Sequence, residues 1–255
     1  MMPDADVEAD VIAAPTYVVL GATGGIGSTL ARRLAAAGAN LVLAARGRER
    51  LEQLAGELHA TACPLDATRF DEVAACVKRA VEVHGRVDGV VNCAGSLLLK
   101  PAHSTSEAEW AETIAANLTT AFAALRAGAK EMFKTGGSIV LVSSAAARVG
   151  LANHEAIAAA KAGVIGLTLS AAATYAARGI RVNCVAPGLV DTPLTARITG
   201  NEASRNASIG MHPLGRIGNP ADVASAIEWL LSPQQSWVTG QVLGVDGGLA
   251  SLRGR

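Results

Sequence analysis

The sequence predicts an α/β domain in which a parallel β-sheet carries helices on both faces. Three observations lead to this prediction. Short runs rich in Val, Ile and Leu alternate with Ala-rich helical segments, a glycine-rich turn follows the first run, and the 255 residues suit one such domain. Strict alternation of strands and helices is typical of a doubly wound sheet. We therefore expect a single Rossmann-type domain with about seven strands.

Each predicted strand is a short β-rich run that ends in glycine, polar residues or a helical pattern. The strands are predicted at residues 17–20, 40–44, 60–65, 89–92, 138–143, 180–185 and 242–245. The predicted helices repeat apolar residues at spacings of three and four, as Leu51, Leu54 and Leu58 do. They cover about residues 25–37, 48–58, 71–84, 106–132, 154–177 and 220–231, and the helix at 106–132 is long enough to be a candidate for a kink.

The first residues of the chain and one internal segment lack a clear pattern. Residues 1–14 are expected to form a mobile tail, and residues 15–255 the single domain. Residues 190–218 show weak periodicity and many small polar side chains, so we expect a mobile lid there.

Amino-acid composition and charge argue against several classes of protein. Lys plus Arg equal Asp plus Glu at 22 each, so no net field attracts nucleic acid or an anionic membrane. No run offers the ~18 consecutive apolar residues of a membrane span, and the acidic N-terminus is unlike a signal peptide. Four scattered cysteines without CxxC spacing favour free thiols over disulfides or a metal site. We expect a cytoplasmic protein with no metal, no nucleic-acid partner and no membrane partner.

The glycine-rich turn between the first strand and the first helix predicts a dinucleotide site. Its residues are Gly21, Ala22, Thr23, Gly24, Gly25, Ile26 and Gly27. Glycines allow a tight turn and close approach of the backbone to a pyrophosphate, and the helix N-terminus presents free N–H groups to the negative charge. The position of this loop within an alternating chain makes it a strong signal.

The end of the second strand favours NADP(H) over NAD(H). An acidic residue there would hydrogen-bond the adenosine ribose and repel a 2′-phosphate, but this chain has Ala45 followed by Arg46. Arg46 is able to bind the phosphate through charge-assisted hydrogen bonds, with help from Arg48.

Further motifs resemble the short-chain dehydrogenase/reductase family from about Thr16 to Leu249. The loop pattern G-x-x-x-G-x-G belongs to this resemblance, although Leu20 stands where the family usually has Thr. The other motifs are Leu65-Asp66, Asn92-Cys93-Ala94-Gly95, Pro187-Gly188-Leu189-Val190-Asp191-Thr192, Gly215-Arg216 and Asp246-Gly247-Gly248. The resemblance implies an NAD(P)-dependent oxidoreductase that acts on a small molecule and assembles as a homotetramer or homodimer.

The same resemblance assigns roles within the cofactor site. It implies that Asp66 contacts adenine and that Cys93, Ala94 and Gly95 line the cofactor through their backbone. Pro187 and Gly188 would lie beside the nicotinamide carboxamide, which the Val190 backbone and the Thr192 hydroxyl would bind.

The resemblance also implies a catalytic set of Asn, Ser, Tyr and Lys, and one member is absent. Asn117 matches the residue that anchors a proton-relay water, Ser144 the residue that orients the substrate, and Lys161 the residue that binds the nicotinamide ribose. Ile157 stands four residues before Lys161, where the family has its Tyr. An alkyl side chain donates no proton, so the family's mechanism does not run unchanged.

Three interpretations of Ile157 stay open on the sequence alone. The protein is a reductase whose proton comes from His154, Lys161 or a water held by Asn117. Alternatively, its acceptor is an activated C=C, an imine or a quinone that needs little acid assistance. The third interpretation is a nucleotide-binding pseudoenzyme. His154 shares a helix face with Ile157 and Lys161, and Asn153 is a candidate N-cap that would place His154 in the first turn.

Overall fold

A seven-stranded parallel sheet forms the centre of the protein, which we describe from a computed structural model covering residues 14–252. The strands are β1 Thr16–Leu20, β2 Asn40–Ala45, β3 Thr61–Pro64, β4 Gly89–Asn92, β5 Gly137–Val142, β6 Ile180–Pro187 and β7 Val242–Val245. Their order in the sheet is β3-β2-β1-β4-β5-β6-β7. The predicted doubly wound fold is confirmed, with strand ends shifted by one or two residues. Apart from Ala14, the predicted N-terminal tail lies outside the described residues.

Helices connect the strands and cover both faces of the sheet. Within residues 14–252 they are α1 Gly25–Ala36, α2 Arg48–Glu57, α3 Phe70–His84, α4 Glu107–Ile114, α5 Thr120–Glu131, α6 Glu155–Tyr175, α7 Ala196–Thr199, α8 Glu202–Met211 and α9 Pro220–Leu231. Successive strand residues point to opposite faces. Val18 and Ile139 accordingly pack with α3, α5 and α6, whereas Val19 and Val140 pack with α1, α2 and α9.

The long helix predicted at residues 106–132 is interrupted by a π-turn. Residues Ala115–Thr119 form this turn between α4 and α5, inside the helix for which the sequence suggested a kink without giving its position. A π-turn inserts an extra residue and redirects the side chains around it, and such turns are frequent at functional sites. Here the turn contains Asn117 and holds its side chain in the interior.

The segment expected to be an irregular lid contains helical structure. Residues 190–218 include α7 and α8, and the Asn201 side chain caps α8 by accepting a hydrogen bond from the Ser204 N–H at 2.9 Å. The sequence did not predict these helices because α7 is only four residues long and α8 is rich in small polar residues. Such segments become helical mainly through caps and tertiary packing.

Helix α6 is long and strongly apolar. With the turn that follows it, Glu155–Arg178 is long and apolar enough to cross a membrane, a test that the core helix of a soluble protein also meets. Val164 and Ala171 of α6 lie in the hydrophobic core, and Lys161 is buried. The helix therefore packs as a core element of this fold.

Glycine at position 128 sets the distance between α5 and the sheet. A Cβ at Gly128 would lie 2.9 Å from Cγ2 of Val90, whose branched side chain is stiff in a strand. We expect Gly128→Ala to lower the free energy of unfolding by about 1–3 kcal/mol through overpacking, although Ala favours a helix. Urea unfolding followed by circular dichroism measures the change.

Gly166 of α6 provides a matched control. No atom lies within 4 Å of a Cβ built at Gly166. Gly166→Ala should therefore raise the unfolding free energy by up to about 1 kcal/mol. Equal stabilisation by both substitutions would show that the close approach at Gly128 does not constrain the packing.

Candidate functional site

The candidate site lies at the carboxyl ends of the strands, where the strand order reverses between β1 and β4. In open α/β sheets a crevice forms at this switch point. The turn after β1 and the segment after β4 touch there, since a Cβ at Gly21 would lie 2.6 Å from the Ala94 backbone nitrogen. The structure thus brings together the predicted glycine-rich loop and the predicted Cys93–Gly95 segment.

The glycine-rich loop is tight enough to require glycine at two positions. Gly21 has a φ of 72°, in the left-handed region that favours glycine. A Cβ at Gly27 would overlap the Gly21 carbonyl oxygen. Thr23 and Ile26 are half-buried in the same loop. The backbone, rather than long side chains, therefore forms the floor of this part of the crevice.

The N-terminus of α1 is suited to bind an anion. Its N-cap, Gly24, provides no side-chain hydrogen bond, and the first turn contains no acidic residue. The free N–H groups and the helix dipole therefore both favour a negative group at this position. These features fit the pyrophosphate of a dinucleotide.

Arg46 and Asp66 lie together at the β2–β3 end of the crevice. Arg46 is exposed and follows the buried Ala45, whereas Arg48 forms an ion pair with Glu52 at 3.2 Å. We expected Arg48 to help bind the 2′-phosphate, but its side chain is instead paired with Glu52 of the same helix, α2. Asp66 accepts hydrogen bonds from Thr68, which lower the pKa of the Asp66 carboxyl, and the charge of Arg46 lowers it further.

Asn117 joins the π-turn to the segment after β4. Its side chain is 1% exposed, accepts a hydrogen bond from the Ser96 N–H at 3.2 Å and donates to the Ser96 hydroxyl at 3.0 Å. It also donates to the Thr113 carbonyl at 2.9 Å. Ser96 was not predicted as a site residue, because the motif that precedes it ends at Gly95.

Lys161 extends from α6 into the same interior space. Its Nζ donates to the Val142 carbonyl at 2.9 Å, and a Cβ at Gly95 would lie 2.9 Å from Asn117 Oδ1 and 3.5 Å from Lys161 Nζ. Three predicted residues from three separate elements therefore meet at one point. Burial lowers the pKa of Lys161 to about 8, because desolvation disfavours the charged ammonium.

Burial has the opposite effect on the neighbouring thiols. It raises the pKa of Cys93 to about 12 and that of Cys184 to about 11, so both thiols are neutral near pH 7. All four cysteines are free, as the sequence predicted. Lys161 is therefore the group beside Asn117 that titrates closest to neutral pH.

Ser144 lies just beyond the end of β5. Its hydroxyl oxygen accepts a hydrogen bond from the Ala146 N–H at 3.1 Å. The hydroxyl hydrogen has no acceptor among residues 14–252, so Ser144 keeps a donor for a substrate oxygen. The preceding residue, Ser143, donates to the Lys161 carbonyl at 2.7 Å and fastens α6 to β5. The sequence did not single out Ser143.

Ile157 and His154 occupy the start of α6. Ile157 is 3% exposed and lies four residues before Lys161. Asn153 has a φ of 63°, which asparagine tolerates, and His154 takes the N-cap position instead. The predicted capping by Asn153 is therefore wrong. His154 Nδ1 lies 2.7 Å from the Ala152 carbonyl oxygen, and the helical rise places His154 roughly 10 Å along the axis from Lys161.

The segment after β6 lies against the glycine-rich loop. Pro187 ends β6, and a Cβ at Gly25 would lie 2.7 Å from Cγ2 of Thr192. Thr195 holds this segment by donating to the Val190 carbonyl and accepting from the Thr192 N–H at 3.0 Å. Thr195 is a further residue that the sequence motifs did not reveal, since its role depends on a local capping box.

Comparison with known sequences identifies the family. The family profile described as enoyl-(acyl carrier protein) reductase matches residues 21–250. Cis-4-hydroxycyclohexanecarboxylate dehydrogenase of Sinomonas cyclohexanicum is 41% identical over 241 residues, which cover 92% of this chain and 96% of the relative.

Solved structures agree with that result. A short-chain type dehydrogenase/reductase from Mycobacterium ulcerans is 37% identical, with a TM-score of 0.89 and coverage of 94% of this chain and 91% of the other. ElxO is 29% identical with a TM-score of 0.88 over 94% of this chain and 100% of its own, both with NADP bound and as a tyrosine-to-phenylalanine variant with NADPH bound. The chain belongs to the short-chain dehydrogenase/reductase family.

Proposed function

We propose that the protein is an NADPH-dependent oxidoreductase that reduces a carbonyl or another activated acceptor without the family's tyrosine. The observation that carries this proposal is the convergence of Gly95, Asn117 and Lys161 beside a buried alkyl side chain, Ile157. The dinucleotide cradle and the buried lysine are both present. An alkyl side chain stands in place of the whole phenol, and we infer that the loss of the phenol affects proton transfer more than nucleotide binding.

The preference for NADP(H) rests on the charge at the end of β2. Ala45 leaves no carboxylate to repel a 2′-phosphate, and Arg46 forms no ion pair with any residue in the described range. A free guanidinium at this position is suited to a bidentate phosphate contact. ElxO, a structural relative, has been solved with NADP bound.

The side chains of the site have distinct parts in the reaction. Bound NADPH supplies the hydride that reduces the acceptor carbon. Ser144 donates its free hydroxyl hydrogen to the acceptor oxygen and stabilises the negative charge that develops there. Lys161, whose pKa is about 8, provides the proton that completes the reduction.

His154 is the weaker candidate for proton donor. Its Nδ1 is engaged by the Ala152 carbonyl, and it makes no hydrogen bond to Asn117, Ser144 or Lys161 within the part of the chain that the structure covers. An apolar Ile157 wall also suits an acceptor such as an enone or a quinone, which needs little acid assistance.

A second candidate function is that of an NADP(H)-binding pseudoenzyme that acts as a sensor or scaffold. The observation that favours it is the burial of Ile157, which puts an inert side chain at the position of the proton donor. A structural relative with phenylalanine in place of a tyrosine holds NADPH, so the loss of a phenol hydroxyl is compatible with nucleotide binding in that protein.

We further propose a cytoplasmic homotetramer or homodimer that acts on a small molecule. Phe122 of α5 and Leu169 of α6 are exposed on the outer surfaces of the two Ala-rich helices, which supports association between copies. The balanced charge of the chain supports neither a nucleic-acid partner nor a membrane partner.

Replacement of Arg46 tests the cofactor preference. Arg46→Ala should weaken NADPH binding by about tenfold or more, since a charge-assisted contact to the 2′-phosphate is lost, and should leave NADH binding within about twofold. Fluorescence titration of both nucleotides measures the change. Arg48→Ala is the control, because Arg48 is paired with Glu52, and it should leave both affinities unchanged. Tighter NADH than NADPH binding by the wild-type protein would defeat the assignment.

The pH dependence of reduction tests Lys161 as the acid. The ammonium form donates the proton and is lost as the pH rises through about 8, so the rate of NADPH oxidation should fall above that pH. Steady-state rates with a panel of ketones, enones, imines and quinones between pH 6 and 10 measure the profile. His154→Ala should keep the same midpoint. A profile that His154→Ala abolishes would transfer the role to His154.

A matched pair of substitutions separates a working enzyme from a pseudoenzyme. Ile157→Tyr and Ile157→Phe carry nearly the same steric cost at this buried position, but only tyrosine adds a proton donor. If proton transfer limits the wild-type protein, Ile157→Tyr should raise the reduction rate by about 10²-fold or more and Ile157→Phe should not. Measurable wild-type turnover would exclude the pseudoenzyme. Equal rates for the two variants would show that the phenol is not what the site lacks.

A further inference from the structure

A buried histidine stands at the junction between the lid helix α8 and the segment after β6. His212 is 3% exposed, and its Nδ1 lies 2.7 Å from the Ser208 carbonyl oxygen in α8. The Leu189 N–H donates to His212 Nε2 at 3.2 Å. A carbonyl oxygen only accepts, so Nδ1 carries the hydrogen and Nε2 presents its lone pair, which is the pattern of one neutral tautomer.

The His212 ring is enclosed by three segments that are distant in sequence. A Cβ at Gly188 would lie 2.5 Å from His212 Nε2, so the segment after β6 approaches the ring as closely as only glycine allows. Gly247, after β7, also lies close to this residue, since an added Cβ would be 3.5 Å from His212 Cβ. A cavity of about 470 Å³ lies next to the ring. The ring therefore fills a specific gap and is not a surface group.

The charged groups around the cavity do not engage the ring. The Asp246 carboxylate accepts hydrogen bonds from the backbone N–H groups of Gly248 and Ala250. Arg216 is paired with Asp222 at 2.7 Å. His212 forms no ion pair within residues 14–252, so the two hydrogen bonds of the ring are the polar connections of this side chain to the fold.

The hydrogen bond to Leu189 leads directly to the nicotinamide end of the site. Leu189 is next to Val190, and its carbonyl accepts from the Gly218 N–H at 2.8 Å. Three residues beyond Leu189, Thr192 lies against Gly25 of the glycine-rich loop. A continuous series of contacts therefore runs from α8 through the imidazole of His212 to the loop that receives the pyrophosphate.

We propose that His212 is a positioning residue that ties the lid helix α8 to the Leu189–Thr192 segment and so sets the part of the site that receives the nicotinamide. It acts through Leu189 and does not itself contact the cofactor. This inference rests on the proposed function, because Val190 and Thr192 are assigned to the cofactor there.

Three substitutions at His212 test the two hydrogen bonds of the ring separately. His212→Gln retains an acceptor that reaches Leu189, His212→Asn retains a donor near Ser208 but is too short for Leu189, and His212→Ala removes both. We expect His212→Ala and His212→Asn to weaken NADPH binding by about tenfold, and His212→Gln to recover most of it. Binding of 2′,5′-ADP, which lacks the nicotinamide half, should stay within about twofold in all three.

A remote buried substitution controls for general loss of stability. Ser138→Ala removes a buried hydrogen bond to the Leu230 carbonyl near the amino end of β5, away from the carboxyl ends of the strands where the site lies, and should change neither affinity. Parallel weakening of NADPH and 2′,5′-ADP in the His212 variants, or unchanged NADPH binding in His212→Ala, would overturn the inference.

Amide hydrogen exchange tests the connection without the cofactor. The Leu189 N–H has His212 Nε2 as its one acceptor among the residues that the structure describes. Its exchange should accelerate at least about tenfold in His212→Asn and little in His212→Gln. Unchanged exchange in His212→Asn would show that His212 does not hold this segment. Failure of the wild-type protein to bind either nucleotide would instead refute the proposed function, and the exchange experiment would still decide the role of His212.

Discussion

The candidate site depends on the burial of the Lys161 ammonium group and on its hydrogen bond to the Val142 carbonyl. A charge removed from water is costly unless it is paired or hydrogen-bonded, and here the compensation comes from the Val142 carbonyl at the end of β5. Ser143 fastens α6 to the same strand end, so the lysine and its acceptor are held by one junction. The lowered pKa of Lys161, about 8, is a direct result of this burial.

The position of Asn117 follows from the same packing. The π-turn Ala115–Thr119 brings its amide to Ser96, and Gly163 of α6 permits the close approach of Leu118 in that turn. Helix packing, rather than contacts with sequence neighbours, thus fixes the positions of Lys161, Asn117 and the Gly95 backbone. Ile157 is buried on the same helix as Lys161, four residues before it.

Close backbone contacts connect the cofactor cradle to the rest of the molecule. Gly21 lies against Ala94, Gly25 against Thr192, and Gly188 against His212. The first two contacts join segments that follow different strands, the third joins two parts of the segment between β6 and β7, and each is possible because glycine lacks a Cβ. The crevice is therefore built largely from backbone, which suits recognition of phosphates and a carboxamide and leaves few side chains to define the substrate.

The sequence by itself determined the fold class and the position of the glycine-rich turn after β1. The spacing of apolar residues in strands and helices is a local property of the sequence. The glycine spacing after β1 likewise depends on the geometry of a single turn, so both patterns are recognisable from short stretches of the chain. The sequence likewise predicted Asn117, Ser144 and Lys161, through a family resemblance rather than through physical derivation.

Tertiary structure alone decided how these residues meet. The sequence did not reveal Ser96, Thr195 or the two hydrogen bonds of His212, because they depend on distances between segments brought together only by packing. It also interpreted residues 190–218 as a mobile lid without regular elements, whereas α8 forms there with a cap from Asn201 and with Ser208 buried. Local sequence patterns specify individual helices and strands. The free energy that positions one helix or strand against another comes from contacts between residues that are far apart in the sequence.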